Sequence, residues 1–189
     1  MAGSTEKLRR REGLVFLAGF ALCIPAANWL IGHVGMSCDT GACLIPVAPG
    51  LMAPSGVLTV GLALVFRDLV QRRLGWKAAV AGIVAGTLLS ALFAPPKLVT
   101  ASATAFLLSE IADMLVDTPL QQRRLVLAVF ASSVVGLVLD SLIFLQLAFG
   151  SLDFLLGQIV GKSWMVLAVL PAIAWLRRRD EKLGLSLAY

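Results

Sequence analysis

Six apolar runs, each close to the length that a helix needs to cross a bilayer, dominate this sequence. About 20 helical residues span the roughly 30 Å of hydrocarbon. The 189 residues are 59% hydrophobic and 14% charged, whereas a soluble domain is about a quarter charged. We therefore predict an all-α fold, a polytopic membrane protein with six transmembrane helices in one bundle and one domain over residues 1–189. The predicted spans are residues 14–34, 53–70, 78–94, 98–116, 125–149 and 154–176.

The basic residues predict how the helices are oriented. If six helices alternate, the Lys and Arg clusters all fall on one side, and only Lys97 falls on the other. Basic residues concentrate on the cytoplasmic side. Both termini are therefore predicted to be cytoplasmic, with tails 1–11 and 177–189, in a cell (inner or plasma) membrane. The clusters are Lys7, Arg9, Arg10 and Arg11; Arg72, Arg73 and Lys77; Arg123 and Arg124; and Arg177, Arg178, Arg179 and Lys182.

The net charge of +5 is explained by this placement rather than by a nucleic-acid partner. Aromatic and basic residues do not alternate in the sequence, and no nucleic-acid motif is present. The chain contains one histidine, His33, so no metal site and no cofactor are expected. The lipid bilayer and a small molecule are the expected partners.

The connection over residues 35–52 is the one long loop on the predicted outer side. It contains Cys38 and Cys43. If the loop is extracytoplasmic, these cysteines can form a disulfide; two free thiols are the alternative. The loop either covers a site as a lid or is a re-entrant or surface connection.

Small residues recur every four positions in the third predicted helix, at Ala78, Gly82, Gly86 and Ser90. Such a face lets helix backbones approach closely. It favours packing within the bundle. The alternatives are a homodimer contact and a docking face for an energising membrane subunit.

Two acids, Glu110 and Asp113, lie one turn apart within the fourth predicted span. Insertion scales put the cost of one charged side chain at the bilayer centre near 3 kcal/mol. Counting about 1.5 Å per residue puts Glu110 just past the midplane, with no basic residue obvious at its depth. We interpret it as the floor of a polar pocket open to the outside. The other polar residues predicted for that half are Asn28, Ser102, Asp140, Gln146, Gln158 and Lys162.

Ion pairing within the bundle is the competing interpretation. Lys162 and Asp140 match in depth and can neutralise each other. Arg67, beside Asp68, is predicted near the inner end of the second span, where a pair with Asp113 is either structural or an inner gate. Trp164 is either an interface anchor or a ring that stacks on a ligand.

Four segments of the sequence resemble the VUT, or queuosine-precursor transporter, family. They are P-S-G-V-L-T-V-G-L-A-L-V-F-R-D-L-V-Q-R-R-L-G (54–75), A-S-A-T-A-F-L-L-S-E-I-A-D-M-L-V (101–116), L-D-S-L-I-F (139–144) and G-Q-I-V-G-K (157–162). The resemblance spans about residues 12–178. Asp117 departs from it, because the family pattern has Tyr before the Thr-Pro.

This resemblance implies a six-helix fold like that of the substrate-binding subunits of energy-coupling-factor importers. It also implies uptake of 7-deazaguanine bases, namely queuine and its cyano or aminomethyl precursors. For such a nucleobase, Glu110 is the first choice as bidentate acceptor, and Lys162 or Gln158 are the candidate donors. Asp140 would meet an aminomethyl group or hold Lys162. The remaining predicted contacts are Asn28 and the aromatic residues Phe106, Phe144 and Trp164.

The sequence lacks the motifs that several other functions would require. No Walker motif is present, so a binding subunit for another vitamin or purine would need a separate ATP-driven module. H-E-x-x-H and G-x-S-x-G are also missing from the sequence, so we do not expect an enzyme. A channel or scaffold, in which the acids only pair with bases, is the last alternative.

Overall fold

Six helices form the bundle in the computed structural model, which describes residues 2–38, 42–121 and 125–184. The all-α, multi-pass architecture is confirmed to the extent that five helices are long and apolar enough to cross a membrane. The second, α2, is not among those five because it carries four charged side chains. The helices are α1 (Ala2–His33), α2 (Val57–Leu74), α3 (Trp76–Phe93), α4 (Val99–Gln121), α5 (Leu125–Phe149) and α6 (Leu155–Leu183).

The most polar helix, α2, lies at the centre of the bundle. It contacts α1, α3, α4, α5 and α6, and its Arg67 and Asp68 side chains are fully buried. Intramembrane charges are tolerated where they face the bundle interior rather than lipid. The other helices therefore shield the charges of α2 from lipid.

Several helices extend beyond the predicted spans, and one begins later than predicted. α1 already begins at Ala2 and α6 continues to Leu183, so the described parts of both predicted tails are helical. α4 runs through Pro119 to Gln121; neighbouring helices can satisfy the backbone carbonyl that a proline leaves free. α2 begins at Val57, not at residue 53. The predicted basic cluster at Arg123 and Arg124 lies outside the described residues.

The long loop contains a β-hairpin that rests on α6. Strand β1 (Leu44–Ala48) pairs antiparallel with β2 (Leu51–Pro54). Cys38 and Cys43 form a disulfide, so the first of the two alternatives holds. The Trp164 indole Nε1 donates to the Val47 carbonyl at 3.1 Å. We call the end of the bundle that carries this hairpin the hairpin end.

An ion-pair network ties three helices together at the opposite end. Asp180 of α6 accepts from Arg72 at 3.0 Å and from Arg73 at 2.8 Å, both on α2. Glu12 of α1 pairs with Arg73 at 2.8 Å and with Arg179 at 2.6 Å. Some of the basic residues that indicated orientation therefore also fasten α1, α2 and α6 to one another.

The small-residue face of α3 packs inside the bundle. Gly82, Gly86 and Ser90 are buried. A Cβ on Gly82 would lie 3.6 Å from the Phe20 ring of α1, and one on Gly86 would lie 2.8 Å from the Phe106 ring of α4. This face is therefore used for packing within the chain and is not free to dock a partner or a second copy.

Gly61 marks a very close approach of α2 and α6, and its substitution should be costly. A Cβ there would lie 2.7 Å from the backbone oxygen of Lys162 and 2.9 Å from its Cα. Because backbone cannot move aside like a side chain, we expect Gly61→Ala to lower stability by about 1–3 kcal/mol, measured as the melting temperature of the purified protein.

Gly32→Ala is the matched control, because its nearest contact would be Pro95 Cγ at 3.9 Å. Alanine also favours the helix by up to about 1 kcal/mol over glycine. Equal melting temperatures for the two variants would contradict the close helix approach.

Candidate binding site

A part-open pocket lies in the hairpin half of the bundle and is lined by all six helices. It encloses about 610 Å³ of atom-free space, including the portion open to solvent. The polar lining residues are Asn28, Ser90, Ser102, Asp140, Gln158 and Lys162, and the rings are Phe106 and Phe144. Five of the six polar residues that we predicted for this half line the pocket; Gln146 is exposed instead.

The ammonium group of Lys162 already has three hydrogen-bond partners. Its Nζ donates to Asp140 Oδ2 at 2.5 Å, to Ser141 Oγ at 2.7 Å and to Gln158 Oε1 at 2.7 Å. An ammonium has three N–H donors. Lys162 therefore has no N–H left for a ligand in this arrangement, and it holds the Asp140 carboxylate and the Gln158 amide oxygen in place.

Asp140 and Gln158 retain hydrogen-bonding capacity on the pocket side. Lys162 engages Oδ2 of Asp140, which leaves Oδ1, and the Asp140 side chain is 12% exposed. Lys162 also fixes the Gln158 amide, because Oε1 faces the ammonium and Nε2 keeps its two hydrogens. Asn28 donates its Nδ2 to the Ile24 carbonyl at 3.0 Å. The pocket thus presents a carboxylate acceptor close to an amide donor.

Trp164 does not face the pocket, and its predicted stacking role was wrong. Its side chain is 56% exposed. Helical residues turn about 100° each, so a residue two positions beyond Lys162 points to the opposite face of α6. Trp164 instead anchors the hairpin through its bond to Val47.

Glu110 is buried in an ion pair rather than exposed to the pocket. Its Oε2 lies 3.1 Å from Arg67 Nε, and the residue is 1% exposed. The expectation that no basic residue matches its depth was wrong. Because α2 begins at Val57 rather than residue 53, Arg67 lies well inside the helix and not near its end.

Arg67 is surrounded by four carboxylates, and we call these five residues the Arg67 cluster. Besides Glu110, its Nη2 lies 2.9 Å from Asp68 Oδ1 and 2.6 Å from Asp113 Oδ1, and Nη1 lies 3.9 Å from Asp117 Oδ2. The Arg67–Asp113 pair is thus present. All five residues are at most 1% exposed.

Neutral polar groups donate hydrogen bonds to some carboxylate oxygens of the Arg67 cluster but leave others without a partner. Ser132 Oγ donates to Asp68 Oδ2 at 3.0 Å, and Gln121 Nε2 donates to Asp117 Oδ2 at 2.7 Å. Asp113 Oδ2 and Asp117 Oδ1 are buried without a hydrogen-bond partner. A buried acceptor that lacks a donor costs about 1–3 kcal/mol, and more if it is charged.

The Arg67 cluster lies directly below the pocket. Arg67 is four residues, about one turn, beyond the pocket residue Ala63 on α2. Glu110 stands in the same relation to Phe106 on α4. Pocket and cluster therefore follow one another along the same helices from the hairpin end inward. Sequence reasoning missed Ser141 and the participation of Asp117; the only available signal was a fourth acid, one turn beyond Asp113.

A helical multi-pass bundle with a partly polar pocket in one half suits a membrane transporter of small molecules. In a comparison with protein families, residues 89–176 match a family described as putative vitamin uptake transporter. This match confirms the family resemblance seen in the sequence, and vitamin-uptake-type transport is the function that it indicates. No curated protein and no solved structure matched the chain.

Proposed function

We propose that this protein imports queuosine precursors, the 7-deazaguanine bases that include queuine and its cyano and aminomethyl precursors. The observation that carries the proposal is the Asp140–Gln158 pair in a pocket that two phenyl rings also line. A deazaguanine has two adjacent N–H donors beside a carbonyl acceptor. Asp140 would accept one donor at Oδ1 and the other at the second lone pair of Oδ2, whose first lone pair accepts from Lys162. The Gln158 amide would donate to the carbonyl.

The acceptor and donor of the pocket are complementary to the donor–donor–acceptor edge of a deazaguanine. A base without that edge would not fit the same groups. Charge-assisted bonds to a carboxylate are stronger than neutral ones. Adenine lacks the donor pair and would leave Asp140 Oδ1 without a donor, which is how a buried polar site excludes a ligand. Phe106 and Phe144 would contact the faces of the ring, and Asn28 would contact the base from α1. Asp140 takes the acceptor role that the sequence assigned to Glu110.

We place all six helices across the cell (inner) membrane, with both termini in the cytoplasm and the hairpin end outside. The basic residues support this orientation. The Cys38–Cys43 disulfide is also consistent with a hairpin on the oxidising side. In this placement the pocket opens towards the outside, and the Arg67 cluster is the closed inner gate.

The chain would bind its substrate and transport it without an obligatory energising subunit. The small-residue face of α3 was the candidate docking surface, and it is buried within the bundle. Uptake by the purified protein in liposomes tests this, because a binding subunit that needs an ATP-driven module would be inactive there.

Thermal-shift measurements with the purified protein test the substrate class. We expect deazaguanines and guanine, which share the donor–donor–acceptor edge, to raise the melting temperature. A ligand at 100 times its dissociation constant adds about 2.7 kcal/mol of stability, which is several degrees for a chain of this size. Adenine and common vitamins should produce no shift. Stabilisation by a vitamin but by no base would overturn the proposal.

A further inference from the structure

The Arg67 cluster contains more negative than positive charge. One guanidinium faces four carboxylates, those of Asp68, Glu110, Asp113 and Asp117. With every group ionised, three negative charges would be left uncompensated inside the bundle. Burying even one isolated ionised carboxylate in an apolar medium is so costly that the group neutralises instead.

Within the part of the chain that the structure describes, Arg67 is the one cation within 4 Å of the four carboxylates. Lys162 of α6 lies on the pocket side but is paired with Asp140 of α5. Arg72 of α2 lies on the other side and is bound to Asp180. Lys162 is thus neutralised by its own acid, and Arg72 is directed to Asp180, which it shares with Arg73, rather than to the cluster.

The geometry within the cluster favours a bound proton over a metal ion. The Arg67 guanidinium occupies the centre of the carboxylates, where a metal ion would have to lie. Asp68 Oδ1 and Asp113 Oδ1 both lie within 3 Å of the same nitrogen, Nη2. Two carboxylates sharing one site cannot readily both ionise. In addition, Asp113 Oδ2 and Asp117 Oδ1 are buried without a hydrogen-bond donor, so no hydrogen bond stabilises a negative charge on either oxygen.

We propose that the Arg67 cluster is a proton-binding site whose protons are exchanged during transport, so that an inward proton gradient drives uptake. The coupling part of this inference rests on the proposed function. A carboxylate would take up one proton from the outer side and release it to the cytoplasm, so each proton carries one positive charge inward.

The coupling follows from where the cluster lies. A substrate that leaves the pocket towards the opposite end must pass the level of Arg67 and Glu110. Opening that route separates Arg67 from some of its carboxylates, which is costly for ionised acids and less so for protonated ones. Proton binding and inward opening are therefore linked, and linkage of this kind is reciprocal.

Infrared spectroscopy of the full chain in lipid tests the proton site without any substrate. At neutral pH we expect the C=O stretch of neutral carboxylic acid, weakened in Asp113→Asn and in Asp117→Asn. Asp153→Asn is the matched control, because Asp153 is an exposed acid in the α5–α6 turn and should leave the band unchanged. A wild-type spectrum without a neutral acid band would overturn the proton site.

Uptake into proteoliposomes tests the coupling. With one proton per base, an inward gradient of one pH unit should raise accumulation of an uncharged labelled base about tenfold, and a sodium gradient at equal pH should not. If bases bind in the thermal-shift assay but the pH gradient has no effect, or sodium drives uptake, the coupling is wrong and the proposed substrate stands. If no base binds while the infrared band is present, the proposed function fails and the proton site stands.

Discussion

Arg67→Met is expected to prevent the protein from accumulating in folded form in the membrane. The substitution removes the one cation, among the described residues, that contacts Asp68, Glu110, Asp113 and Asp117. Removing one partner of a buried ion pair costs about 3–5 kcal/mol, because it leaves an uncompensated charge. Here several acids lose their partner at once. Native proteins are stable by only about 5–15 kcal/mol, so the loss is comparable to the whole.

The yield of monodisperse protein and its melting temperature measure this effect. Arg177→Met is the matched control, because Arg177 forms an exposed pair with Glu181 and exposed pairs contribute about 0–1 kcal/mol. Combining Arg67→Met with Asp68→Asn and Asp113→Asn should restore part of the yield by removing acids that need a cation. An Arg67→Met protein as stable as the wild type would show that the guanidinium does not hold the cluster together.

The helical architecture was more predictable than the site. The architecture depends on the length of the apolar runs, whereas the site depends on the exact residue at which a helix begins. The length of apolar runs identifies membrane helices, and an error of a few residues at an end leaves the helix in place. The identification of Arg67 as the partner of Glu110 is sensitive to the same few residues, because they change the predicted depth of Arg67. Starting the second span at residue 53 put Arg67 near the inner end of the bundle, whereas α2 begins at Val57 and brings the guanidinium to the level of Glu110.

The start of α2 could not be found from hydropathy because the residues before it are also apolar. β2 reads Leu51–Pro54 and is as hydrophobic as the helix that follows. Its hydrogen-bond partner is β1, which lies earlier in the chain. Pairing between two short segments is a tertiary contact, and the prolines of the loop suggested only an irregular connection.

The depth of a residue along its helix was enough to predict most of the pocket residues. The direction in which a residue points around the helix, which the prediction did not use, explains the error at Trp164. Gln158 and Lys162 are four residues apart and share a face of α6, so placing them together was sound. Trp164 was added for its ring alone, although a two-residue offset from Lys162 turns it outward, where it is 56% exposed. Periodicity was therefore a better guide to the site than residue chemistry.

Asp140→Asn is expected to weaken base binding on the order of 100-fold. The substitution replaces a charged acceptor by a neutral amide, and losing one partner of a buried, hydrogen-bonded charge pair costs about 2–5 kcal/mol. It also leaves Lys162 buried without its counter-ion, so the single variant should lose stability as well. The double variant Asp140→Asn with Lys162→Gln removes both charges and should recover stability but not binding.

Thermal-shift titration with a deazaguanine separates the two effects. Asp153→Asn is the control for loss of an acid that does not line the pocket. Wild-type affinity in the stable double variant would show that the base is recognised elsewhere, because the pocket would then have lost its carboxylate without consequence.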